Sequence, residues 1–411
     1  MRTSRLAQYA VNVCLPCSRH ASTVPLLATR RIPLFTNLRI SRRSITWAST
    51  PRQFPTSGFH SINPSEDIEE ETLSTYEAEK YYPVQQGEVL GDRYQTLAKL
   101  GYGVTSTVWF ARDLVDSKYV ILKVYVAGQE TNHEVEIYER INTVPTTHPG
   151  KRFIRQLFDH FSIEGPHGRH TCLIHEPLGM NTDLQLKNLL LPSPDESALS
   201  RFEEDAVKTP AARKMLKGRT IYTSSKFPLS NGLPLLSDFG EARFAGKENN
   251  EDIMPNVYRA PEVISKMNWD HTVEIWSVAM LAWDIVSPRT LLDGENPDGI
   301  FDDRVHVAEL IALLGPPPPQ FREMGKLTSV FWDESGNWKE LAPLPNITLE
   351  GLAADIRGDD KEGFLRWLRA ALQWNPQDRP TALELLYDEW LMKGLKLKSR
   401  EETSEDSTTH D

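Results

Sequence analysis

The chain has 411 residues, 39% hydrophobic and 25% charged, with a formal net charge of −11. That is room for two or three domain-sized units of ordinary globular composition, and no run of eighteen apolar residues is present to span a membrane as a helix. Cys14, Cys17 and Cys172 are too few for a disulfide framework, and the single CxxC of Cys14 and Cys17 lacks the second pair that a zinc site needs.

Residues 1–52 hold nine arginines and no lysine, and the first acidic residue of the chain is Glu66. An Arg-rich, Ser-rich, acid-free start reads as a mitochondrial transit peptide. The alternative is a disordered basic arm that binds nucleic acid or acidic lipid, with cytoplasm and nucleus as the address. Setting those nine arginines aside leaves 37 basic against 57 acidic residues. The remainder is therefore acidic, which argues against nucleic-acid binding by the folded part and suits a basic substrate. Residues 53–92, polar and carrying EDIEEET, read as a linker. From Tyr94 the texture changes. YQTLAKLGYG, STVWFARDL and KYVILKVYV are β-rich and separated by Gly and Asp turns, which predicts a small antiparallel sheet. NHEVEIYERIN has helical spacing. RFIRQLFDHFSI and HTCLIHEPL give two more strands, with Cys172 buried in the second. These make a first lobe over 93–179.

A second lobe spans 180–395. It contains an insert at about 192–232, of which TPAARKMLKGRTIYTSSKFPLSNG reads as a long, polar, irregular loop. From Ala260 helices dominate. HTVEIWSVAMLAWDIV is apolar nearly all round and should be buried. RVHVAELIALLG stops at Gly and four prolines. EGFLRWLRAALQW and TALELLYDEWL are amphipathic. Residues 396–411 form an acidic tail. Sheet first and helices after predicts an α+β fold of two lobes, with a ligand between them.

The chemistry-bearing residues follow the same order. In LGYGVTSTV, Gly101 and Gly103 allow the backbone to close over phosphates, Ser106 stands where a third Gly could be, and Val108 would roof a base. Alone this is a weak signal, since a GxG turn also makes a plain hairpin. Lys123 follows in VILKV, and a lysine flanked by apolar residues on a strand needs a polar partner. Glu134 on the next helix is the natural one. Glu136 is the runner-up, projecting about 200° round the helix. Downstream come Asp183 and Asn188, five apart, then SDFGEAR with Asp238, YRAPEV with Glu262, and NPQDRP with Arg379.

Gly loop, strand Lys, helix Glu, DxxxxN, DFG and APE in this order resemble the protein-kinase signature set. YYPVQQGEVLGDRYQTLAKLGYGVTSTVWFARD, RFIRQLFDHFSIEGPHGRHTCLIHEPLG, VYRAPEV and ELIALLGPPPP are similar to the SR-protein kinases, which phosphorylate serines of Arg/Ser-rich proteins. DLQLKN and DFGEARF resemble the fungal branch, and the resemblance runs from about Tyr81 to Met392. It implies a two-lobed kinase fold, ATP and Mg²⁺, and a protein substrate. By that resemblance Leu100, Gly101, Gly103, Val108 and Lys123 bind ATP, with Glu134 holding Lys123. The Glu176 carbonyl and Leu178 N–H pair with adenine. Asn188 and Asp238 hold Mg²⁺, as hard oxygen ligands do, and Asp183 accepts or orients the substrate hydroxyl proton. Glu262 and Arg379 form a structural ion pair.

The chain departs from the family at Asn181 in place of His, Gln185 in place of Lys, Ile121 in place of Ala and Glu274 in place of Asp. The largest departure lies in EPLGMNTDLQLKN. The family places two helices between hinge and catalytic loop, roughly 25–35 residues at ~10–14 residues per helix. Here Leu178 and Asp183 are five peptide units apart, at most ~18 Å. The expectation is a kinase whose second lobe has lost that segment. The alternative is an inactive, nucleotide-binding scaffold.

Overall fold

A computed structural model of the chain describes residues 46–128, 132–178, 188–244, 248–358 and 360–395. Two short strands come first, β1 (Ser61–Ile62) and β2 (Val89–Leu90). Then follow β3 (Tyr94–Tyr102), β4 (Ser106–Asp113), β5 (Lys118–Tyr125), β6 (Leu157–Gly165) and β7 (Gly168–His175). They form a six-stranded sheet of order β2-β3-β4-β5-β7-β6, antiparallel throughout. Helix α1 (His133–Thr143) lies between β5 and β6 in the chain. The Asn132 side chain caps it by accepting from the Glu134 and Val135 N–H groups, which would otherwise lack partners.

Strand alternation gives the sheet two apolar faces. Trp109, Ala111, Leu122, Val124, Cys172 and Ile174 cluster on one, which we call the outer face. Leu100, Phe110 and Ile121 cluster on the other, with Val108 beside them. Lys123 is two residues from Ile121 and opposite Val108, so it shares that second face.

The strand β8 (Leu189–Leu190) opens the second lobe and precedes the insert. The insert differs from the irregular loop read from its sequence. It folds into α2 (Glu196–Lys208) and a hairpin of β9 (Arg213–Leu216) and β10 (Arg219–Tyr222), and it packs on the first lobe. Leu199, Phe202 and Phe227 meet Phe110 on the second face, while Tyr222 meets Trp109 on the outer one. The stretch expected as a linker is also built in. Within 53–92, β1 pairs in parallel with β9, and Lys99 of β3 is buried against Glu69 and Glu70. Lys214 meets Glu71 at 2.9 Å, and Ser224 donates to Glu69. The acidic run is thus a set of partners for buried lysines. Arg52, at the end of the expected transit peptide, donates its N–H to Gln95 at 2.7 Å; residues 1–45 and the tail from 396 lie outside the described residues.

After the insert, β11 (Leu235–Leu236) returns to pair with β8. The helices α3 (Val273–Val286), α4 (Asp303–Leu314) and α5 (Lys361–Ala371) follow. Trp276, Trp283, Phe321, Trp367 and Leu368 are among the residues of one large core. Gly315 ends α4 at φ 77°, in the left-handed region that glycine adopts without strain. Among the described residues no helix is long and apolar enough to cross a membrane.

Candidate active site

Lys123 sits where the two lobes meet. Its ammonium lies 2.8 Å from Glu134 Oε2 on α1 and 3.1 Å from Asp238 Oδ1 of the DFG stretch. Glu134 is the buried partner, 2% exposed. Glu136, two residues on, lies near His133 on the exposed side instead. The helical period explains the choice, because only one of two residues spaced by two can face the sheet. Glu134 makes further bonds. Its Oε1 accepts from the Phe239 N–H at 3.2 Å, and its Oε2 accepts from the Tyr125 hydroxyl. His133 Nε2 is 2.6 Å from the Ala242 carbonyl. Helix α1 is therefore tied to the DFG segment at several points.

The charge balance at Lys123 follows from this geometry. Burial works to lower its pKa, but Glu134, Tyr125 and Asp238 together outweigh burial and raise it, so the amine is held as a cation. The Tyr125 phenol is pushed up by burial, with Glu134 adding to the rise.

Asp238 and Asn188 are brought together by strand pairing. Leu189 pairs with Leu236, and the Ser237 N–H donates to the Asn188 carbonyl at 2.8 Å. Asn188 and Asp238 therefore flank the same end of the β8–β11 ladder. Asp238 holds φ at 61°, a conformation costly for a residue with a side chain. Its carboxylate is 54% exposed, with one oxygen on Lys123. The other has no partner among the described residues. Two hard oxygen donors on an open cleft, one of them anionic, fit a magnesium ion beside phosphate.

The remaining sequence candidates divide. Leu100, Val108 and Ile121 share one face, with Ile121 paired to His175 at the end of β7. Gly101 pairs with Val108, and the Gly103 N–H closes the turn on the Ser106 carbonyl at 2.8 Å. Leu178 is buried at 3% exposure. The Glu176 carbonyl, expected to accept from adenine, accepts from the Arg155 guanidinium at 3.1 Å. Asp183, with Asn181 and Gln185, lies outside the described residues. Glu262 and Arg379 pair through two bonds of 2.6 Å, both side chains fully buried.

Sequence reasoning passed over Arg155 and the insert side chains. Arg155 had a faint signal, a cation in an apolar strand pattern. Leu199 and Phe227 had none, because nothing local tells which face an insert will cover.

The comparisons with known proteins agree with this geometry. A family model described as protein kinase domain matches residues 228–391. A serine/threonine protein kinase of Aspergillus fumigatus is 37% identical, covering 86% of this chain and 98% of that one. The chain belongs to the serine/threonine protein kinase family. The serine/threonine-protein kinase SRPK of Physarum polycephalum is 25% identical over 78% of this chain and 91% of its own. A solved kinase domain superposes with a TM-score of 0.56 at 20% identity, covering 76% of this chain and 99% of that one. This kinase thus has the two-lobed α+β fold, and its relatives include SR-protein kinases.

The Aspergillus alignment is longer than the part of this chain that it uses. It runs over 387 positions yet uses 86% of the 411 residues here, so more than thirty positions face no residue of this chain. Thirteen residues, 176–188, separate His175 at the end of β7 from Leu189 at the start of β8, against the roughly 25–35 that two helices and their turns take. Beside that junction lies a largely apolar cavity of about 710 Å³, lined by Ile141, Val144, Phe153, Leu189, Leu236 and Val278 among others. Leu236 and Val278 remain 44% and 42% exposed.

Proposed function

We propose that this kinase transfers the γ-phosphate of ATP to serine or threonine hydroxyls of Arg/Ser-rich proteins, using Mg²⁺. The single observation that carries the reading is the cluster of Lys123, Glu134 and Asp238, which joins sheet, helix and DFG segment in one place. Lys123, fixed as a cation by Glu134, would hold the α- and β-phosphates. Asp238 and Asn188 would hold the metal, which neutralises charge on the phosphates as it builds. Leu100, Gly101, Gly103, Val108, Glu176 and Leu178 would enclose the nucleotide. Asp183 would accept or orient the substrate hydroxyl proton. Such transfer asks for positioning and charge neutralisation rather than covalent chemistry, and these residues supply both.

Support for a basic substrate comes from the acidic body of the chain, from the resemblance to SR-protein kinases, and from the name of the Physarum relative. The test is γ-phosphate transfer to an Arg/Ser repeat peptide, compared with one in which Ala replaces Arg. Asp183→Ala should abolish transfer. Equal rates on both peptides would refute the substrate class. The arginine-rich start supports a mitochondrial address over cytoplasm and nucleus, which the location of a fluorescent fusion in cells would decide.

One observation favours a second reading, a nucleotide-binding scaffold without transfer. The apolar cavity is lined by Leu189 and Leu236, whose strands lead from the segment expected to hold the catalytic loop and into Asp238. Thermal stabilisation by Mg-ATP with no transfer to any peptide would select it.

A further inference from the structure

Tyr81 has no part in the roles assigned above, yet it touches the nucleotide turn. Its side chain is 4% exposed, and its hydroxyl lies 2.9 Å from the Gly103 carbonyl and 3.0 Å from that of Val104. Packing does not hold this turn. A Cβ added at Gly101 or Gly103 would meet nothing within 4 Å, and Val104 is 57% exposed. The hydroxyl therefore adds a side-chain restraint on the turn's apex to the backbone bonds from the Gly103 N–H to the Ser106 carbonyl and from the Val126 N–H to the Thr105 carbonyl.

What it restrains follows from peptide geometry. In a trans peptide the N–H points opposite to the preceding C=O. Tyr81 belongs to the segment that lies with the hairpin over the outer face, where Thr107, Trp109 and Tyr222 meet. Drawing the Gly103 and Val104 carbonyls toward that side aims the N–H groups of Val104 and Thr105 at the opposite side. That is the face of Lys123. Backbone N–H groups converging there make a cradle for phosphate oxygens.

Tyr81 is itself anchored by the insert. Arg219 on β10 donates to the Tyr81 carbonyl at 2.5 Å, to the Ala78 carbonyl, and to the Tyr76 hydroxyl at 2.8 Å. The Tyr76 ring lies 5.2 Å from that of Tyr81. The Ala127 N–H, just past β5, donates to the Lys80 carbonyl at 2.8 Å. A continuous path thus runs from the insert hairpin through Arg219 and Tyr81 to the glycine turn.

We propose that Tyr81 is a positioning residue for the nucleotide, and that the insert sets the glycine turn through Arg219. The proposal rests on the nucleotide reading of Gly101 and Gly103. Losing one hydrogen bond of ordinary net worth predicts that Tyr81→Phe raises the KM for ATP about three- to tenfold. The kcat at saturating ATP should change less than twofold, and Arg219→Gln should act in the same direction. Amide hydrogen exchange over residues 102–107 should quicken by a similar factor in both variants, with β5 unchanged. Exchange that stays at the wild-type rate in Tyr81→Phe overturns the tether. Faster exchange with an unaltered KM overturns the positioning role. A wild-type chain with no affinity for a fluorescent ATP analogue and Mg²⁺ is a third, separate result. It would remove the kinase reading and this proposal with it.

Discussion

At the scale of single residues, the cleft cation Lys123 and the buried Glu262–Arg379 pair set the clearest expectations. Lys123 is the only lysine whose ammonium bridges the two lobes' acidic groups among the described residues. Replacing it with Met removes the cation that would meet the phosphates. Phosphate transfer should fall at least about 100-fold, on the scale of losing one preorganised transition-state donor. Steady-state kinetics with the Arg/Ser peptide would show this, and a smaller loss would move the phosphate-binding role elsewhere. Glu262 and Arg379 act on stability instead. Arg379 also donates to the carbonyls of Thr272 and Gln373. Glu262→Ala leaves the guanidinium buried without its carboxylate, at a cost of roughly 3–5 kcal/mol. Urea denaturation would measure it; a loss below about 1 kcal/mol would mean that water or a neighbour replaces the carboxylate.

At the scale of elements, α4 carries two buried titratable groups of opposite effect. Burial lowers the His306 pKa to about 4, and its Nε2 is 3.1 Å from the Arg259 carbonyl. Burial, with Asp293 nearby, raises Glu309 to about 7. The signs differ. His306 binds its proton more weakly when folded, so stability falls as pH drops from about 6.5 toward 4. Glu309 binds its proton more tightly when folded. Its contribution is full below the unfolded value near 4.3 and is lost as pH rises through 7. Each effect is on the order of 3 kcal/mol, so between pH 6.5 and 4.5 they largely cancel. His306→Gln should uncover the glutamate, giving a chain that gains stability as pH falls from 7 to 4.5. Glu309→Gln should do the reverse. Denaturation midpoints across that range would show the two slopes, and parallel slopes in both variants would contradict the assignment.

Much of the element pattern could be read from the sequence. β-rich segments between Gly and Asp turns marked β3 to β5, two further apolar runs marked β6 and β7, and the Gly–Pro stop after IALLG marked the end of α4. Glu134 was read as the natural partner of Lys123, and helical spacing kept Glu136 off the same face. The insert and the presumed linker could not be read that way. Strands β9 and β10 are four residues each, too short to show an alternating pattern. They bury Arg213 and Lys214, residues that count as polar in any local reading. EDIEEET looked like a solvated charge run because its partners, Lys99, Lys214 and Ser224, lie 29 to 155 residues away. Ion pairs over such separations leave no mark on local composition. Among the site residues the motif order indicated Lys123, Glu134 and Asp238. The bond from Arg155 to the Glu176 carbonyl depends on the meeting of β6 and the end of β7, which no motif encodes.

At the scale of the whole molecule, an apolar groove stays open beside helix α3. Helix α3 reads as apolar nearly all round, and its other apolar residues are buried or nearly so, yet Val278 is left 42% exposed. Leu236 and Val144 are exposed beside the same cavity. The Aspergillus relative has more than thirty aligned positions that this chain does not fill. An amphipathic segment of that length joined between Met180 and Asn181 would bring apolar residues to this surface. Completing the burial of three half-exposed side chains is worth about 1 kcal/mol each, half of the usual 1.5–3 kcal/mol for full burial. A chain carrying the relative's segment should therefore melt at a higher temperature and bind less of an apolar dye such as ANS. Its rate of phosphate transfer should also rise, since the segment leads directly into Asp183. If the extended chain keeps the dye binding and melting temperature of the present one, the cavity is not the seat of that segment. The exposure of Val278 would then belong to the native surface of this kinase.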